Sequence, residues 1–274
     1  MEVSIVSVFW NESKYLKEWI EFHSLIGVDK FYLVNNNSTD DYLSVLKPYI
    51  ESGKVILTNM SIDITKNPNG MTNELLLVSS WLNEMNNIVK KSNDDWVIHV
   101  STDEFIYPIK EDNIKDVLKT FPENVGEISV NWVLFGNNGV ELKENELLID
   151  KIRKSSRDNE VFNLHVKPIF KPKAIKNIPS VHYSNLNPNY IKVDSNKDKN
   201  NFKQPFETKQ FVSDELMINH YRFRDLSYSM DKLKIYELWG KPNREHMLGW
   251  FNDVYNDRIV KFIDKLKKNM GYEN

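Results

Sequence analysis

Apolar and polar residues follow two different periods along the first half of the chain, and these periods predict its strands and helices. Short runs of β-branched and aromatic residues, typical of buried strands, lie at 3–9, 31–34, 54–58, 96–100 and 128–135. Apolar residues that recur every three or four positions predict helices over about 13–26, 41–50, 72–90 and 113–121. This alternation of strand and helix predicts an α/β fold with a mixed, mostly parallel sheet flanked by helices.

The first predicted helix has residues at its two ends that can begin and end a helix. Asn11 and Ser13 each carry a side chain that can cap its N-terminus. Gly27 follows the last apolar position and predicts the C-terminal stop, because glycine adopts the left-handed conformation easily.

The second half of the chain has a less regular pattern. Two glycines and two asparagines predict a loop at 136–139, and a strand follows at 167–171, where Pro168 suits the edge of a sheet. The remaining sequence predicts a mobile polar loop at 194–204 and a last strand at 217–223. Two helices are predicted at 226–239 and 247–268. We therefore expect a main domain over residues 1–225 and a C-terminal helical segment, 226–274, packed on it.

Composition and charge exclude several classes of site and partner. The chain of 274 residues has no cysteine, which excludes disulfides and thiolate metal sites. Its formal net charge of -3 provides no basic surface that would favour nucleic acid. The N-terminus lacks a signal-peptide pattern, and no apolar run approaches the roughly 20 residues that span a bilayer. We expect a cytoplasmic location.

The last predicted helix has a basic face and an apolar face. Its lysines are Lys261, Lys265, Lys267 and Lys268. Two interpretations fit this pattern: a helix packed on the domain, or a peripheral contact with the anionic inner face of a membrane.

Polar residues follow three predicted strands at the ends where open α/β sheets bind ligands. These are Asn11-Glu12, the turn 35–40 and Ser101-Thr102-Asp103-Glu104. Neither G-x-G-x-x-G after the first strand nor G-x-x-x-x-G-K-[ST] occurs, so the two commonest glycine-rich diphosphate sites are missing. A divalent metal on a carboxylate can neutralise a diphosphate instead, and Asp103 directly follows a buried strand.

Several of these residues form short motifs in a characteristic order. The motifs include Asn11-Glu12, Glu18-Trp19, Ser38-Thr39-Asp40, the segment 96–105 and Asn219-His220-Tyr221. Their order and spacing resemble those of bacterial family-2-like glycosyltransferases, which are related to the family-92 enzymes and have the GT-A (Rossmann-like) fold. The resemblance covers residues 3–240 in patches.

This resemblance implies an enzyme that moves a sugar from a nucleotide-diphosphate sugar to a carbohydrate, lipid-linked or protein acceptor. It implies a hexosyl- or related transferase of polysaccharide biosynthesis. The enzyme would depend on Mn²⁺ or Mg²⁺ and would invert the configuration at the anomeric carbon. The family's first two strand-end loops hold the base and ribose, so the resemblance makes Asn11, Glu12 and Asn35 donor-binding candidates. Asn11 is explained equally well as a helix cap.

The chain departs from the family at Ser101, where relatives have the first Asp of a D-x-D motif. The resemblance still makes Asp103 the catalytic metal ligand and leaves Ser101 at the donor. Losing the first carboxylate should weaken metal or ribose binding. An alternative function is therefore a non-catalytic protein that binds nucleotide sugars through a degenerate site.

The resemblance also implies a histidine ligand late in the chain. Order along the chain favours His182, the motif favours His220, and either is also explained as an ordinary core or surface histidine. His220 and Arg224 are further candidates for contacting the diphosphate. No motif selects a catalytic base, although Asp158 and Glu160 lie in the appropriate half.

Overall fold

The computed structural model describes residues 1–62, 73–238 and 245–272. Its first six strands are β1 (Val3–Phe9), β2 (Lys30–Asn36), β3 (Val55–Met60), β4 (Trp96–His99), β5 (Glu104–Pro108) and β6 (Val125–Leu134). Those that follow are β7 (Lys154–Ser155), β8 (Val166–Phe170), β9 (Ile175–Ser180), β10 (Tyr183–Leu186), β11 (Ile191–Asp194), β12 (Phe202–Gln204), β13 (Glu207–Thr208), β14 (Leu216–His220) and β15 (Val254–Tyr255).

Helices connect and cover these strands. They are α1 (Ser13–Leu25), α2 (Tyr42–Glu51), α3 (Asn73–Lys91), α4 (Ile114–Leu118), α5 (Leu148–Lys151), α6 (Leu226–Leu238) and α7 (Ile263–Met270). Shorter 3-10 helices lie at Val161–Leu164, Pro172–Ala174, Glu245–Gly249 and Val260–Phe262. Within the described ranges, no helix is both long and apolar enough to cross a membrane.

The central sheet is mixed and mostly parallel, as predicted. Its strand order is β3-β2-β1-β4-β8-β6-β14-β5, and β11 also pairs with β6. The antiparallel pairs are β4 with β8, β8 with β6 and β14 with β5, while the others are parallel. Strands β1, β2, β4, β6 and β14 therefore end at one edge of the sheet, which we call the carboxyl edge.

Both faces of the sheet are covered. Helix α1 packs against α2 and α7, and its buried Trp19 and Phe22 belong to the larger core cluster. On the other face, Trp81 and Met85 of α3 pack in a second cluster with residues of β4 and β9. Apolar burial on both faces explains why the parallel strands carry continuous apolar runs.

The predicted cap of α1 was wrong, whereas its predicted stop is confirmed. Glu12 is the N-cap residue, and its side chain makes no capping hydrogen bond; the Asp40 carboxylate accepts from the Ser13 N–H at 2.6 Å instead. Asn11 has a positive φ of 54° and uses its side chain to accept a hydrogen bond from the Thr39 N–H instead. Gly27 has a φ of 105° directly after the helix.

Three other predictions from the second half need correction. Pro168 lies inside the sheet, opposite Ser129 of β6, and its strand tolerates proline there because the pairing with β4 stops at Ile169. The stretch 194–204 contains β12 and is held by buried Asp194, which accepts backbone N–H bonds from Asn196 and Asp198. The predicted helix 247–268 is replaced by short 3-10 helices, β15 and α7. The predicted helix ends Thr72 and Trp239 lie outside the described residues.

The C-terminal segment contacts the rest of the chain through α7. Its Ile263, Leu266 and Met270 are buried, and α7 packs against α1. Lys265 pairs with Asp112 and Lys267 with Asp150. These contacts fit the packed-helix interpretation, while the domain division at 225 and the membrane contact stay predictions.

Candidate functional site

The turn 101–104 at the end of β4 is held in place by groups from distant parts of the chain. Trp19 Nε1 donates hydrogen bonds to the carbonyl oxygens of Ser101 and Glu104, at 3.2 and 2.9 Å. The Glu104 carboxylate accepts a bond of 2.7 Å from the Ser101 N–H, and the Tyr221 N–H donates to the Asp103 carbonyl at 2.8 Å. The turn therefore fixes the direction in which Asp103 projects at the carboxyl edge.

Asp103, Glu104 and His220 form a compact group of potential metal ligands. One ligand atom from each lies within 4.8 Å of the others. His220 Nε2 is 3.5 Å from Oδ2 of Asp103, and His220 Nδ1 is 3.7 Å from Oε1 of Glu104. Across the described chain, the buried Nδ1 of His220 has no hydrogen-bond partner. Two carboxylates and an imidazole with an unused nitrogen are a donor set that fits a divalent cation.

Two lysines face these carboxylates. Lys232 Nζ, from α6, lies 3.6 Å from Oδ2 of Asp103, and Lys167 Nζ, from β8, lies 3.3 Å from Oε2 of Glu104. Burial alone would raise the pKa of Asp103, but His220 and Lys232 outweigh it and hold that pKa well below its ordinary value. Asp103 is therefore ionised at neutral pH.

Arg224, a predicted donor-binding residue, is held by contacts within the protein. It is fully buried and forms an ion pair with Glu12. Its guanidinium also donates to Thr102 Oγ1 at 3.2 Å and lies between the rings of Tyr15 and Tyr228, at 4.3 and 4.4 Å from their centroids. These contacts give Arg224 a structural role beside Glu12, and its contact with the diphosphate stays a prediction.

Asn35 uses all of its polar atoms within the protein. Its Oδ1 accepts from the Ser38 N–H at 2.9 Å, and its Nδ2 donates to Tyr42 Oη and Asn59 Oδ1, both at 3.0 Å. Asn35 is 5% exposed. It therefore shapes the loop after β2, and its contact with the donor stays a prediction.

Asn11 ties the loop after β1 to the loop after β2. Its backbone N–H donates to Ser38 Oγ at 2.9 Å, and its Oδ1 accepts from the Thr39 N–H at 2.7 Å. Asn37 also has a positive φ, of 57°. Two asparagines in this conformation suit a tight, preformed pair of loops.

Ser101 and His182 lie near the cluster without joining it. Ser101 Oγ is 3.4 Å from Lys167 Nζ. The His182 Nδ1–H donates to the Val166 carbonyl at 2.9 Å, and burial lowers the pKa of His182 to about 3. In the structure, His220 rather than His182 accompanies Asp103.

The two carboxylates that lie in the half of the chain expected to supply a catalytic base have partners within the protein. Asp158 pairs with Arg258, and Glu160 accepts a bond from the Val161 N–H at 3.0 Å. His99, the last residue of β4, is buried. Neither carboxylate is therefore marked as a base by its contacts.

Sequence reasoning gave no role to three charged groups of the site: Glu104, Lys167 and Lys232. Glu104 carried a detectable signal, because it directly follows Asp103 in the strand-end motif. Lys232 carried none, because it lies within α6 and outside every motif of the sequence.

Comparisons with known proteins agree on one family. The sequence model of glycosyltransferase family 92 matches residues 1–259. A glycosyltransferase family 92 protein of Ricinus communis is 24% identical over 228 residues, which are 81% of this chain and 36% of that protein. A family 92 protein of Oryza sativa is 24% identical over 137 residues, which are 49% of this chain and 21% of that protein. The chain thus spans about a third or less of these two relatives.

Solved structures with a similar arrangement were also found. S. aureus TarS, residues 1–349 in complex with UDP-GlcNAc, has a TM-score of 0.46 at 14% identity, covering 87% of this chain and 64% of that chain. Glucosyl-3-phosphoglycerate synthase from Mycobacterium tuberculosis, in complex with Mn²⁺, UDP and glucosyl-3-phosphoglycerate, has a TM-score of 0.33 at 15% identity, covering 64% and 58%.

Proposed function

The chain belongs to glycosyltransferase family 92, and from this membership we propose that it transfers a sugar from a nucleotide-diphosphate sugar to an acceptor. One observation carries the proposal. Asp103, Glu104 and His220 stand together at the carboxyl edge, where open α/β sheets bind their ligands. The loop of Asn11 and the end of β2 that carries Asn35 lie at the same edge, because β1 and β2 are neighbouring parallel strands.

We assign a Mn²⁺ or Mg²⁺ ion to Asp103 and His220, with Glu104 as the third available ligand. Such an ion would neutralise the diphosphate and stabilise the charge on the leaving nucleotide. Lys232 adds a positive charge beside Asp103 for the same anion. Arg224 pairs with Glu12 and donates to Thr102, which joins the loop after β1 to the turn that carries Asp103.

The experiment uses the purified chain with a panel of nucleotide sugars, with and without Mn²⁺. We expect release of the nucleotide diphosphate, and thermal stabilisation by that nucleotide only when metal is present. Asp103→Asn should reduce release by about 10²–10³-fold, because it removes the anionic ligand. Asp116→Asn, an exposed carboxylate in a surface pair with Lys119, is the matched control. Neither release nor stabilisation with any donor would overturn the proposal.

A second candidate is a protein that binds nucleotide sugars without turning them over. Ser101 in place of a carboxylate, together with Lys167 beside it, favours this candidate. The same experiment separates the two functions. A binder is stabilised by the nucleotide and releases none of it, and its Asp103→Asn variant has no turnover to lose.

A further inference from the structure

The turn 101–104 carries two of the three candidate metal ligands. The Glu104 N–H donates to the Ser101 carbonyl at 3.0 Å, as in a hydrogen-bonded β-turn, and Asp103 occupies the third position of that turn. The third candidate ligand, His220, lies on β14. The distances within the ligand cluster therefore depend on how the turn is held against the rest of the fold.

One side chain contacts both ends of the turn. Nε1 of Trp19 lies 3.2 Å from the carbonyl oxygen of Ser101, the first residue, and 2.9 Å from that of Glu104, the last. Trp19 lies far away along the chain and is fully buried. A buried indole N–H is a single donor that usually finds one partner. Here it is shared between two carbonyls of one turn, on either side of Asp103.

The helix that carries Trp19 is itself fixed by buried polar contacts. Glu18 accepts two backbone N–H groups of α5, at 2.8 and 3.1 Å. His23 donates to the Trp19 carbonyl at 2.8 Å and accepts the Ile106 N–H of β5 at 3.2 Å. Because β5 begins at Glu104, α1 is bonded both to the turn and to the strand that continues from it. The indole N–H therefore projects from a fixed position.

The other contacts of the turn are made to its middle. Thr102 Oγ1 accepts from Arg224 at 3.2 Å, and the Asp103 carbonyl accepts from the Tyr221 N–H at 2.8 Å. Without the indole N–H, the two end carbonyls lose their shared donor while the middle stays attached. Rotation of the turn about these middle contacts would change the separation of Asp103 and His220, which is 3.5 Å between Oδ2 and Nε2.

We propose that Trp19 is a positioning residue of the transferase, whose indole N–H holds the turn 101–104 so that Asp103 and His220 lie close enough for one metal ion to contact both. This inference rests on the proposed function, because the ligands that Trp19 positions are those of the assigned metal. Trp19 acts through the Ser101 and Glu104 carbonyls and contacts neither the ion nor the donor.

The experiment measures two quantities on the whole chain. One is the affinity for Mn²⁺, from the electron paramagnetic resonance of free Mn²⁺. The other is hydrogen exchange at the Glu104 and Tyr221 amides, measured by NMR without metal and relative to the Ile5 amide of the central strand β1, so that a general loss of stability cancels.

Trp19→Phe removes the N–H and keeps an aromatic ring. We expect this variant to bind Mn²⁺ about tenfold more weakly, since residues that orient metal ligands typically change metal affinity by this amount or more. Relative exchange at the Glu104 and Tyr221 amides should become at least about tenfold faster, because the turn opens more often.

Two matched controls separate the hydrogen bond from packing. Trp96→Phe makes the same change at the other end of β4, where Trp96 is 3% exposed. Phe31→Leu removes ring volume beside the indole, at 5.6 Å between centroids, and leaves the Trp19 N–H in place. Both controls should keep the Mn²⁺ affinity and the relative exchange rates of the unaltered chain. Urea unfolding measures how much stability each variant loses.

Two results would overturn the inference. One is an unchanged Mn²⁺ affinity or unchanged relative exchange in Trp19→Phe, and the other is an equal loss in Phe31→Leu, which would make packing the cause. Absence of Mn²⁺ binding by the unaltered chain would instead count against the metal of the proposed function. The exchange rates, measured without metal, would still decide whether Trp19 holds the turn.

Discussion

Oδ2 of Asp103 lies 3.6 Å from Nζ of Lys232, so a side-chain cation already faces the carboxylate that we assign to a metal. The two groups are 13% and 17% exposed, which makes their attraction stronger than that of a surface pair. Lys232 also donates to the Arg222 carbonyl at 2.7 Å, which holds its amine near the site. A divalent cation must therefore compete with Lys232 for Asp103.

Replacing Lys232 with methionine should change metal and nucleotide binding in opposite directions. Mn²⁺ should bind several-fold more tightly, because the competing charge is gone. UDP should bind several-fold more weakly at saturating Mn²⁺, because a cation near its diphosphate is lost. Isothermal titration measures both affinities. Lys234→Met is the control, since Lys234 lies on the same helix and is 71% exposed. Weaker Mn²⁺ binding by Lys232→Met would show that Lys232 does not compete.

The two candidate histidines should differ in their effect on metal binding. His220→Asn should weaken Mn²⁺ binding by at least about tenfold, because it removes the imidazole beside Asp103. His182→Asn should leave that affinity unchanged, because its ring is held by the Val166 carbonyl outside the cluster. Electron paramagnetic resonance of free Mn²⁺ measures both constants. The reverse pattern would assign the metal to His182.

The first half of the fold could be predicted because its strands are long enough to carry an apolar period. Each of the strands β1 to β4 overlaps its predicted run, and β1, β2 and β4 are neighbours, as their shared polar ends indicated. Strands of two or three residues, such as β7 and β12, are too short for any period to show. Pro168 was misplaced because its position depends on where the pairing with β4 stops, which is a tertiary property.

In the candidate site too, features with a local sequence signal could be predicted, and features that depend on tertiary structure could not. Asp103 could be found because a carboxylate follows a buried strand, a local signal. The choice between His182 and His220 required knowing which strand pairs with β5, and His220 lies opposite Glu104 in that pairing. The burial of Arg224 depends on Glu12, Tyr15 and Tyr228, which only the folded chain brings around it.

Arg224 and Glu12 should behave as a structural pair. Arg224→Met should lower the free energy of unfolding by about 3–5 kcal/mol, because it leaves the buried Glu12 carboxylate without its partner. The double variant with Glu12→Gln should be destabilised by less than the sum of the two single variants. Urea unfolding measures all three. Lys119→Met, in an exposed pair with Asp116, should change stability by under about 1 kcal/mol.

A different result for Arg224 would support its predicted contact with the diphosphate. In that case Arg224→Met would unfold at the same urea concentration as the unaltered chain and would lose UDP affinity. The structure predicts the opposite order of effects: a large loss of stability, and a loss of UDP affinity only through displacement of the loop after β1.

Glu18 should make the stability of the chain depend on pH. Its buried carboxylate accepts the N–H groups of Leu148 and Ile149 at 2.8 and 3.1 Å, which joins α1 to α5. Burial raises the pKa of Glu18 to about 7, although these two hydrogen bonds lower it, and the ordinary value is 4.5. The folded chain therefore holds the proton more tightly than the unfolded chain. The stabilising contribution is fully present below the ordinary pKa and is lost as pH rises through about 7.

Comparison of the unaltered chain with Glu18→Gln isolates this contribution. Between roughly pH 5 and pH 8, the free energy of unfolding of the unaltered chain should fall by up to about 3 kcal/mol more than that of the variant, which has no carboxyl to titrate. Urea unfolding at both pH values measures the difference. Glu51→Gln, at a carboxylate that is 66% exposed, should keep the slope of the unaltered chain. Equal slopes for Glu18→Gln and the unaltered chain would mean that Glu18 is ionised in the folded state throughout this range, held so by the two amides of α5.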